Sequence, residues 1–171
     1  MFKAFYPKKM VGSAYEIPYE ELYKKGIRGV IFDVDNTLVP HGAPADERAL
    51  SLFADFHRMG MKTCLLSNNR EKRVASFAAQ VGSDYIFKAG KPAVKGYVNA
   101  MEKMGTDKST TVFVGDQLFT DIYGANRAGV YSILVKPIHP KEEIQIVLKR
   151  RLEAVVLYFY EKKRKRKGHG R

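Results

Sequence analysis

The feature that most constrains this chain is a short apolar segment that ends in two carboxylates. Residues 30–32 are apolar. They are followed directly by Asp33 and then, after one intervening residue, by Asp35. A continuous apolar run bounded by Gly29 predicts a buried strand of the kind found inside parallel sheets. Ligands in open α/β sheets bind outside the carboxyl ends of the strands, so this pattern predicts a binding site around Asp33. Two nearby carboxylates repel each other unless a cation lies between them or one of them holds a proton.

Alternating helix and strand patterns follow this segment. The predicted helices cover residues 44–59, 70–81, 93–104 and 120–128, and the further predicted strands cover residues 62–66, 85–87, 110–114 and 130–135. This alternation predicts an α/β fold with a Rossmann-like, doubly wound parallel sheet and right-handed crossovers. We expect a lead-in over residues 1–26 with a short helix at 19–25, a catalytic domain over 27–136, and a C-terminal amphipathic helix with a polybasic tail over 137–171.

Four polar residues lie at or just beyond the carboxyl ends of different predicted strands. They are Asp33, Ser67, Lys91 and Asp116. Each of them alone is more typical of a turn, a cap or a solvated surface than of a functional site. A parallel sheet, however, brings these strand ends together along one edge. We therefore expect a nucleophile, a hydroxyl donor, a cation and a second carboxylate to converge there.

The order of these residues resembles the four motifs of the haloacid dehalogenase-like (HAD) phosphatases. Along the chain, the matching segments are Asp-Val-Asp-Asn-Thr at residues 33–37, Ser67, Lys91 with Pro92, and Gly115-Asp116 followed by Asp121. The resemblance covers residues 26–135. Within the family, the chain looks like the capless subclass IIIA and its YqeG-type members, which are similar to phosphatidylglycerophosphate phosphatases.

The resemblance implies a phosphomonoester hydrolase that depends on Mg²⁺. A phosphomonoester brings negative charge toward carboxylates, so a divalent cation is needed to offset the repulsion. By the resemblance, Asp33, the backbone carbonyl of Asp35, and Asp116 hold the ion. Asp121 is either a further ligand, which contacts the ion directly or acts through another ligand, or it only caps the helix that follows it.

The resemblance also implies roles for the catalytic side chains. Asp33 is expected to attack phosphorus and form an aspartyl-phosphate. Asp35 is expected to protonate the leaving oxygen and then to activate the water that hydrolyses this intermediate. The hydroxyl of Ser67 is expected to donate to a phosphoryl oxygen, while Lys91 balances the charge of the phosphoryl group.

The spacing between the motifs leaves no room for an inserted domain. Residues 38–66 separate the first motif from Ser67, residues 68–90 separate Ser67 from Lys91, and each interval holds only one predicted helix and one predicted strand. We therefore expect no cap domain and an open site. An open site suits a large or lipid-linked substrate that itself excludes water, or a lid supplied by a second subunit of a homo-oligomer.

The C-terminal segment concentrates positive charge. The net charge of the chain is +12, and residues 161–171 contribute half of it. Ahead of them, one apolar stripe at helical spacing predicts an amphipathic helix; its members are Ile144, Val147, Leu148, Leu152, Val155, Val156 and Phe159. Such a helix could lie on an anionic bilayer, or pack on the sheet or a second subunit. The same charges also suit RNA or a ribosome.

Cysteine usage and hydropathy bear on the compartment. The single Cys64 lies in an apolar run, which excludes a disulfide framework within the chain and favours a reducing environment. No apolar run approaches the ~20 residues that span a bilayer, and the first residues lack a sustained apolar segment. We expect a cytoplasmic chain, with attachment at the inner membrane surface as the extension that the basic tail supports.

Two other functions remain open on the sequence. One is a phosphatase for a soluble nucleotide, a sugar phosphate or a phosphoprotein. The other is a protein that keeps this fold but binds nucleic acid or the ribosome through its basic tail. Clustered carboxylates facing an anion argue against the second, since binding alone gives no reason to retain them.

Overall fold

A parallel sheet of six strands forms the centre of the fold. The computed structural model describes residues 2–139 and 144–168. In chain order the strands are β1 (Lys9–Val11), β2 (Gly29–Phe32), β3 (Lys62–Leu66), β4 (Asp84–Ile86), β5 (Thr111–Gly115) and β6 (Tyr131–Val135). Their spatial order is β1-β6-β5-β2-β3-β4, and every neighbouring pair is parallel. The predicted Rossmann-like, doubly wound fold is confirmed.

Helices connect the strands and cover both faces of the sheet. In chain order they are α1 (Tyr19–Lys24), α2 (Glu47–Met59), α3 (Glu71–Val81), α4 (Val94–Met104), α5 (Tyr123–Arg127) and α6 (Ile144–Gly168). A π-helical turn at Leu118–Ile122 leads into α5 where the sequence predicted ordinary helix from residue 120. The α2 helix begins three residues later than predicted, because the carboxylate of Asp46 accepts a hydrogen bond from the backbone N–H of Ala49 and fixes the start.

The first strand is the element that the sequence pattern missed. β1 lies in the predicted lead-in and pairs with β6, Lys9 opposite Ile133 and Val11 opposite Val135. It has only three residues and lies at the edge of the sheet, so it shows neither a long apolar run nor a clear alternation. The prediction of five strands was therefore wrong by one, and the lead-in is joined to the sheet.

The chain order reverses between β2 and β5, and this places the acidic loop. Phe32, the last residue of β2, pairs with Leu65 of β3 on one side and with Val114 of β5 on the other. β3 and β4 lie outward from this central pair on one side, and β6 and then β1 on the other. A crevice forms at such a reversal, at the carboxyl ends of the strands. Asp33 and Asp116 both leave the sheet there.

No cap domain lies among the residues that connect the motifs. All of residues 33–91 are described, and the connection from β2 to β3 holds α2 while that from β3 to β4 holds α3. The prediction that no cap domain is inserted between these motifs is therefore confirmed.

Side chains on the two faces of β2 belong to two separate cores. Phe32 packs against Phe56 of α2, with 5.7 Å between ring centroids. Ile31, one residue earlier, lies on the opposite face with Cys64 and Tyr97. Both faces are buried because helices cover both, which explains why β2 reads as a continuous apolar run. Cys64 is a buried free thiol, as expected of a residue in an apolar strand.

The C-terminal helix α6 packs on the sheet with one face and exposes the other. Val156 is only 4% exposed and joins a small core with Leu118 and Leu134. Leu152 and Val155 lie beside Val156 on the helix but are 55% and 50% exposed. The predicted single stripe is thus partly buried and partly exposed. Its members at residues 144, 147 and 148 lie outside the side chains that the structure describes.

We expect Val156→Ala to destabilise the fold and Val155→Ala to leave its stability nearly unchanged. Removing two buried methyl groups costs about 1–2 kcal/mol, whereas alanine at an exposed helical position is neutral or slightly favourable. For a domain of this size the cost corresponds to a melting temperature lower by about 2–8 °C. Thermal unfolding followed by circular dichroism measures both variants. Equal melting temperatures would mean that α6 does not pack on the body in solution.

Candidate active site

Three buried carboxylates meet at the carboxyl edge of the sheet. Asp33 follows β2, while Asp116 and Asp121 follow β5. One carboxylate oxygen from each lies within 4.8 Å of the others, and all three residues are buried. Among the described residues, this is the acidic group with the geometry of a metal site. The structure thus brings together three of the four predicted metal-ligating residues through their side chains.

Lys91 bridges two of these carboxylates. Its Nζ lies 2.7 Å from Oδ1 of Asp33 and 2.7 Å from Oδ1 of Asp121. Burial alone would lower the pKa of the Lys91 amine, but the charges of Asp121 and Asp33 outweigh burial and raise the pKa well above its ordinary value. Lys91 therefore stays protonated and supplies a fixed positive charge beside Asp33.

One lysine does not offset the whole cluster. Burial is the main cause that raises the pKa of Asp33, Lys91 only partly opposes it, and the charge of Asp121 adds to it, so that the pKa is about 7. Burial, followed by repulsion from Asp33 and Asp121, raises the pKa of Asp116 well above the usual range. Close like charges in a desolvated site favour protonation or a bound cation. The site as it stands attracts a further positive charge.

The oxygens left over at Asp33 and Asp116 fit a divalent metal. Within the described residues, Oδ2 of Asp33 has one weak contact at 3.4 Å, from the hydroxyl of Thr37. Oδ2 of Asp116 is buried without a hydrogen bond, although Arg150 of α6 forms an ion pair with it at 3.7 Å. A donor set made only of oxygen suits hard cations such as Mg²⁺, Ca²⁺ or Mn²⁺.

Asp121 is already engaged by the protein at both oxygens. Oδ1 accepts from Lys91, and Oδ2 accepts from the backbone N–H of Gln117 at 3.0 Å. Asp33 and Asp116 therefore offer the more accessible ligand atoms, while Asp121 orients Lys91. Asp121 does not cap the helix that follows it, as the sequence had allowed, because the start of α5 receives no side-chain hydrogen bond.

Gly115 and the π-helical turn allow Asp121 to reach the cluster. A Cβ added at Gly115 would lie 2.7 Å from the Cβ of Asp121, so a larger residue would push Asp121 away. The hydroxyl of Tyr97 donates hydrogen bonds to the carbonyl oxygens of Thr120 and Asp121, at 2.9 and 3.0 Å, and so fixes the same turn. π-helical turns often occur at functional sites because they redirect a side chain.

The loop after β2 is folded back over the cluster. Asn36 has a φ of 65°, a left-handed conformation that asparagine tolerates better than most residues. The turn brings Thr37 to the cluster, where its hydroxyl lies 3.1 Å from Oδ1 of Asp116. The carbonyl of Asn36 accepts a hydrogen bond from the backbone N–H of Ile138, which ties this loop to the segment after β6.

The carboxylate of Asp35 is held apart from the cluster. It accepts hydrogen bonds from the backbone N–H of Gly42 at 2.8 Å, from Arg73 at 2.8 Å and from Asn69 at 3.2 Å. Burial would raise the pKa of Asp35, but these donors outweigh burial and lower it. Asp35 is therefore ionised in this arrangement. Its backbone remains on the loop that the sequence assigned to the metal.

Ser67 and its neighbours lie at the same carboxyl edge of the sheet, after β3. Ser67 is buried, and its oxygen accepts from the backbone N–H of Asn69 at 3.1 Å, which leaves the hydroxyl proton free to donate. Asn68 makes paired hydrogen bonds with the backbone of Lys91, at 2.8 Å to its N–H and 3.1 Å to its carbonyl. These bonds position Lys91 relative to β3.

Four residues of the site were not found from the sequence. They are Asn68, Asn69, Arg73 and Arg150. Asn68 and Asn69 directly follow the second motif, so their place beside Ser67 was a usable signal. Arg73 and Arg150 each lie on a helix next to another basic residue, and nothing in the local pattern separates a site residue from a solvated one.

Comparison with known proteins identifies the family. A family model described as haloacid dehalogenase-like hydrolase matches residues 41–129, and the "Probable phosphatase YqeG" of Bacillus subtilis is 36% identical over 98% of this chain and 95% of its own length. The chain belongs to the haloacid dehalogenase-like hydrolases. It is a HAD-family phosphatase with a carboxylate cluster suited to a divalent metal, as the motif order predicted.

Two further relatives bear on the subfamily and the fold. The "Phosphatidylglycerophosphate phosphatase 1, chloroplastic/mitochondrial" of Arabidopsis thaliana is 33% identical over 82% of this chain, which spans 44% of that relative's length. The cobalt-bound deoxy-D-mannose-octulosonate 8-phosphate phosphatase of Haemophilus influenzae has a TM-score of 0.51 and 16% identity, over 66% of this chain and 80% of its own. The second likeness shows the HAD fold alone.

We expect a divalent metal to stabilise this HAD phosphatase through Asp116. Asp116→Asn removes one buried negative charge, so the chelated variant should melt about 2–4 °C above the chelated wild type, on the order of 1 kcal/mol. Added Mg²⁺ should raise the melting temperature of the wild type but not of Asp116→Asn.

The exposed Asp84 on β4 provides the control, since Asp84→Asn should respond to Mg²⁺ like the wild type. An equal Mg²⁺-induced shift in the wild type and Asp116→Asn would place the ion elsewhere.

Proposed function

We propose that this HAD phosphatase hydrolyses phosphomonoesters with Mg²⁺ through an aspartyl-phosphate on Asp33. One observation carries the proposal: Asp33 is a buried carboxylate with one oxygen on Lys91 and the other left for a metal or a reacting phosphorus. Mg²⁺, when bound by Asp33 and Asp116, would offset the negative charge of the phosphoryl group. Oxygen ligands that include carboxylates favour Mg²⁺ among the abundant divalent ions.

The side chains divide the reaction between them. Asp33 attacks phosphorus, and Lys91, held 2.7 Å from it, balances the charge on the phosphoryl oxygens. The hydroxyl of Ser67 donates to one of those oxygens. Asp35 is expected first to protonate the leaving oxygen and then to take a proton from water. Its lowered pKa suits the second of these steps. In the first step Asp35 must itself carry a proton, and it must then give up its hydrogen bond with Arg73.

Asp33→Asn should abolish phosphate release, because the amide cannot attack phosphorus. We expect a loss of at least about 10³-fold in kcat. Asp35→Asn should slow turnover severely through loss of proton transfer. Activity of the wild type should vanish with a chelator and return with Mg²⁺.

Phosphate release from a panel of substrates measures these effects. The panel contains phosphatidylglycerophosphate, nucleotides, sugar phosphates and a phosphoprotein, and Asp84→Asn is the matched control. Substantial turnover by Asp33→Asn would refute the covalent mechanism. Preference for a soluble member of the panel would refute the lipid substrate proposed below.

A lipid phosphomonoester of the phosphatidylglycerophosphate type is the substrate that we propose. The absence of a cap among the connections at residues 33–91 leaves the site open to a bulky substrate. The Arabidopsis relative, which is named for phosphatidylglycerophosphate, supports the same class. We further propose that the enzyme works at an anionic membrane surface. None of the helices in the described ranges combines the length and the apolar character that crossing a bilayer requires.

The outer face of α6 supports contact with such a surface. Leu152, Val155 and Tyr158 are exposed together on this face, and the basic residues Arg151 and Lys162 flank them. An exposed apolar strip beside basic side chains matches the chemistry of an anionic bilayer. Because the inner face of α6 is already packed on the body, membrane contact through the outer face does not require the helix to detach.

We expect the pair Leu152→Asn and Val155→Asn to weaken binding to anionic vesicles at least about tenfold, since two exposed apolar side chains are lost from the contact. The pair Arg151→Gln and Lys162→Gln should reduce the salt sensitivity of binding. Co-sedimentation with phosphatidylglycerol and phosphatidylcholine vesicles measures both effects.

Leu50→Asn is the control, because Leu50 is similarly exposed but lies on α2. Unchanged vesicle binding by the Leu152 and Val155 pair would exclude the outer face of α6 as the membrane contact. These point variants avoid truncation of α6, which would also remove the packing of Val156.

A further inference from the structure

A groove of about 580 Å³ runs from the metal cluster along the inner edge of α6. Asp116 and Arg150 line one end of it, where they form an ion pair. Arg164 lines the other end. The two arginines lie on the same helix fourteen residues apart, which corresponds to about 21 Å of α-helix. The groove is therefore long enough for much more than a phosphoryl group.

The opposite wall of the groove is formed by the carboxyl ends of β1 and β6. Val11 and Val135 end these two strands and line the groove, and Lys136 follows directly. Leu134 of β6 pairs with Gly115 of β5, so Lys136 lies at the same edge of the sheet as Asp116. The groove thus extends the active-site edge toward β1, on the side away from β3 and Ser67.

Charge in the groove is concentrated near Asp116. Lys136 and Arg150 line this end together. Two of the carboxylates in the groove are already engaged. Asp116 belongs to the metal cluster, and Glu153 accepts hydrogen bonds from the backbone N–H groups of Leu118 and Phe119. An anion that arrives beside the phosphoryl group therefore meets Lys136 and the ion pair of Arg150 with Asp116.

Further along the groove the walls become apolar. Val11 and Leu157 face this stretch from the sheet and from α6, and Ala154 leaves space between them because its side chain is small. Glu161 and Arg164 form a polar mouth at the far end. A phosphoryl site, a cationic stretch and an apolar stretch follow one another in this order.

We propose that this groove binds the leaving group of a lipid phosphomonoester, with Lys136 and Arg150 holding a second anion and the Leu157 wall holding the start of the apolar chains. The proposal rests on the phosphatase function of Asp33. In a phosphatidylglycerophosphate-type lipid, one glycerol joins the terminal phosphomonoester to a phosphodiester. The phosphodiester links this glycerol to a second glycerol, which carries the acyl chains. Arginine and lysine bind such anions through charge-assisted hydrogen bonds.

The test compares two water-soluble substrates, so that membrane binding plays no part. One is glycerol 3-phosphate, which has a single phosphate group, and the other is deacylated phosphatidylglycerophosphate, which keeps the phosphodiester. The readout is the ratio of kcat/KM for the second substrate to kcat/KM for the first, measured by phosphate release with Mg²⁺. Full-length wild type should prefer the deacylated lipid.

Two variants alter the groove, and two more serve as controls. Lys136→Gln should lower the ratio about tenfold through loss of one charge-assisted contact. Ala154→Glu, which adds a negative charge to the groove, should lower it at least as much. Ala154→Gln has a similar size without the charge and should lower it less. Lys103→Gln, at an exposed position of α4 outside the groove, should keep the wild-type ratio.

A measurement on the wild type alone provides a second check. Glycerophosphoglycerol, which has the phosphodiester but no phosphomonoester, should inhibit hydrolysis of glycerol 3-phosphate at least about tenfold more strongly than glycerol does. An unchanged ratio in Lys136→Gln and Ala154→Glu, or equal inhibition by the two compounds, would overturn the groove proposal while leaving the phosphatase intact. Failure of the wild type to hydrolyse either substrate or the intact lipid would overturn the proposed function, and the groove proposal with it.

Discussion

The ion pairs of Lys91 with Asp33 and Asp121 are the interactions on which the rest of the site depends. Three buried carboxylates within 4.8 Å would repel one another strongly in a desolvated crevice, and Lys91 offsets only part of that charge. The remaining imbalance is reflected in the raised pKa values of Asp33 and Asp116. A divalent cation would match what is left. Without a cation the cluster is thus electrostatically strained, and a bound cation would relieve that strain.

Helix α6 contributes both to this charge balance and to the outer surface of the protein. Its inner face carries Val156, which anchors it to the body, and Arg150, which forms an ion pair with Asp116. Its outer face exposes Leu152 and Val155. A helix that is apolar on two sides can pack and still present a surface. In our proposals one helix brings the enzyme to a membrane and lines the path of the leaving group, in place of a cap domain.

Much of the fold could be predicted because the parallel sheet is buried on both faces. Strands such as Val112–Val114 within β5 appear as continuous apolar runs, and glycines such as Gly60 mark helix ends by their left-handed conformation. β1 escaped prediction because an exposed edge strand of three residues has no such run. The start of α2 was misplaced because the cap at Asp46, rather than the apolar spacing, decides it.

The sequence by itself predicted much of the site: Asp33, Ser67, Lys91 and Asp116 are recognisable because each follows a strand, and parallel strands end at a common edge. Asp121, which lies in the π-helical turn, was recognisable only from the order of the family motifs. Only the tertiary structure decided which oxygens are left for a metal, that Arg73 holds Asp35 apart, and that α6 has two distinct faces. These depend on contacts between elements far apart in the chain, such as Arg150 with Asp116. Helical periodicity shows which residues share a face but carries no information about what that face will meet.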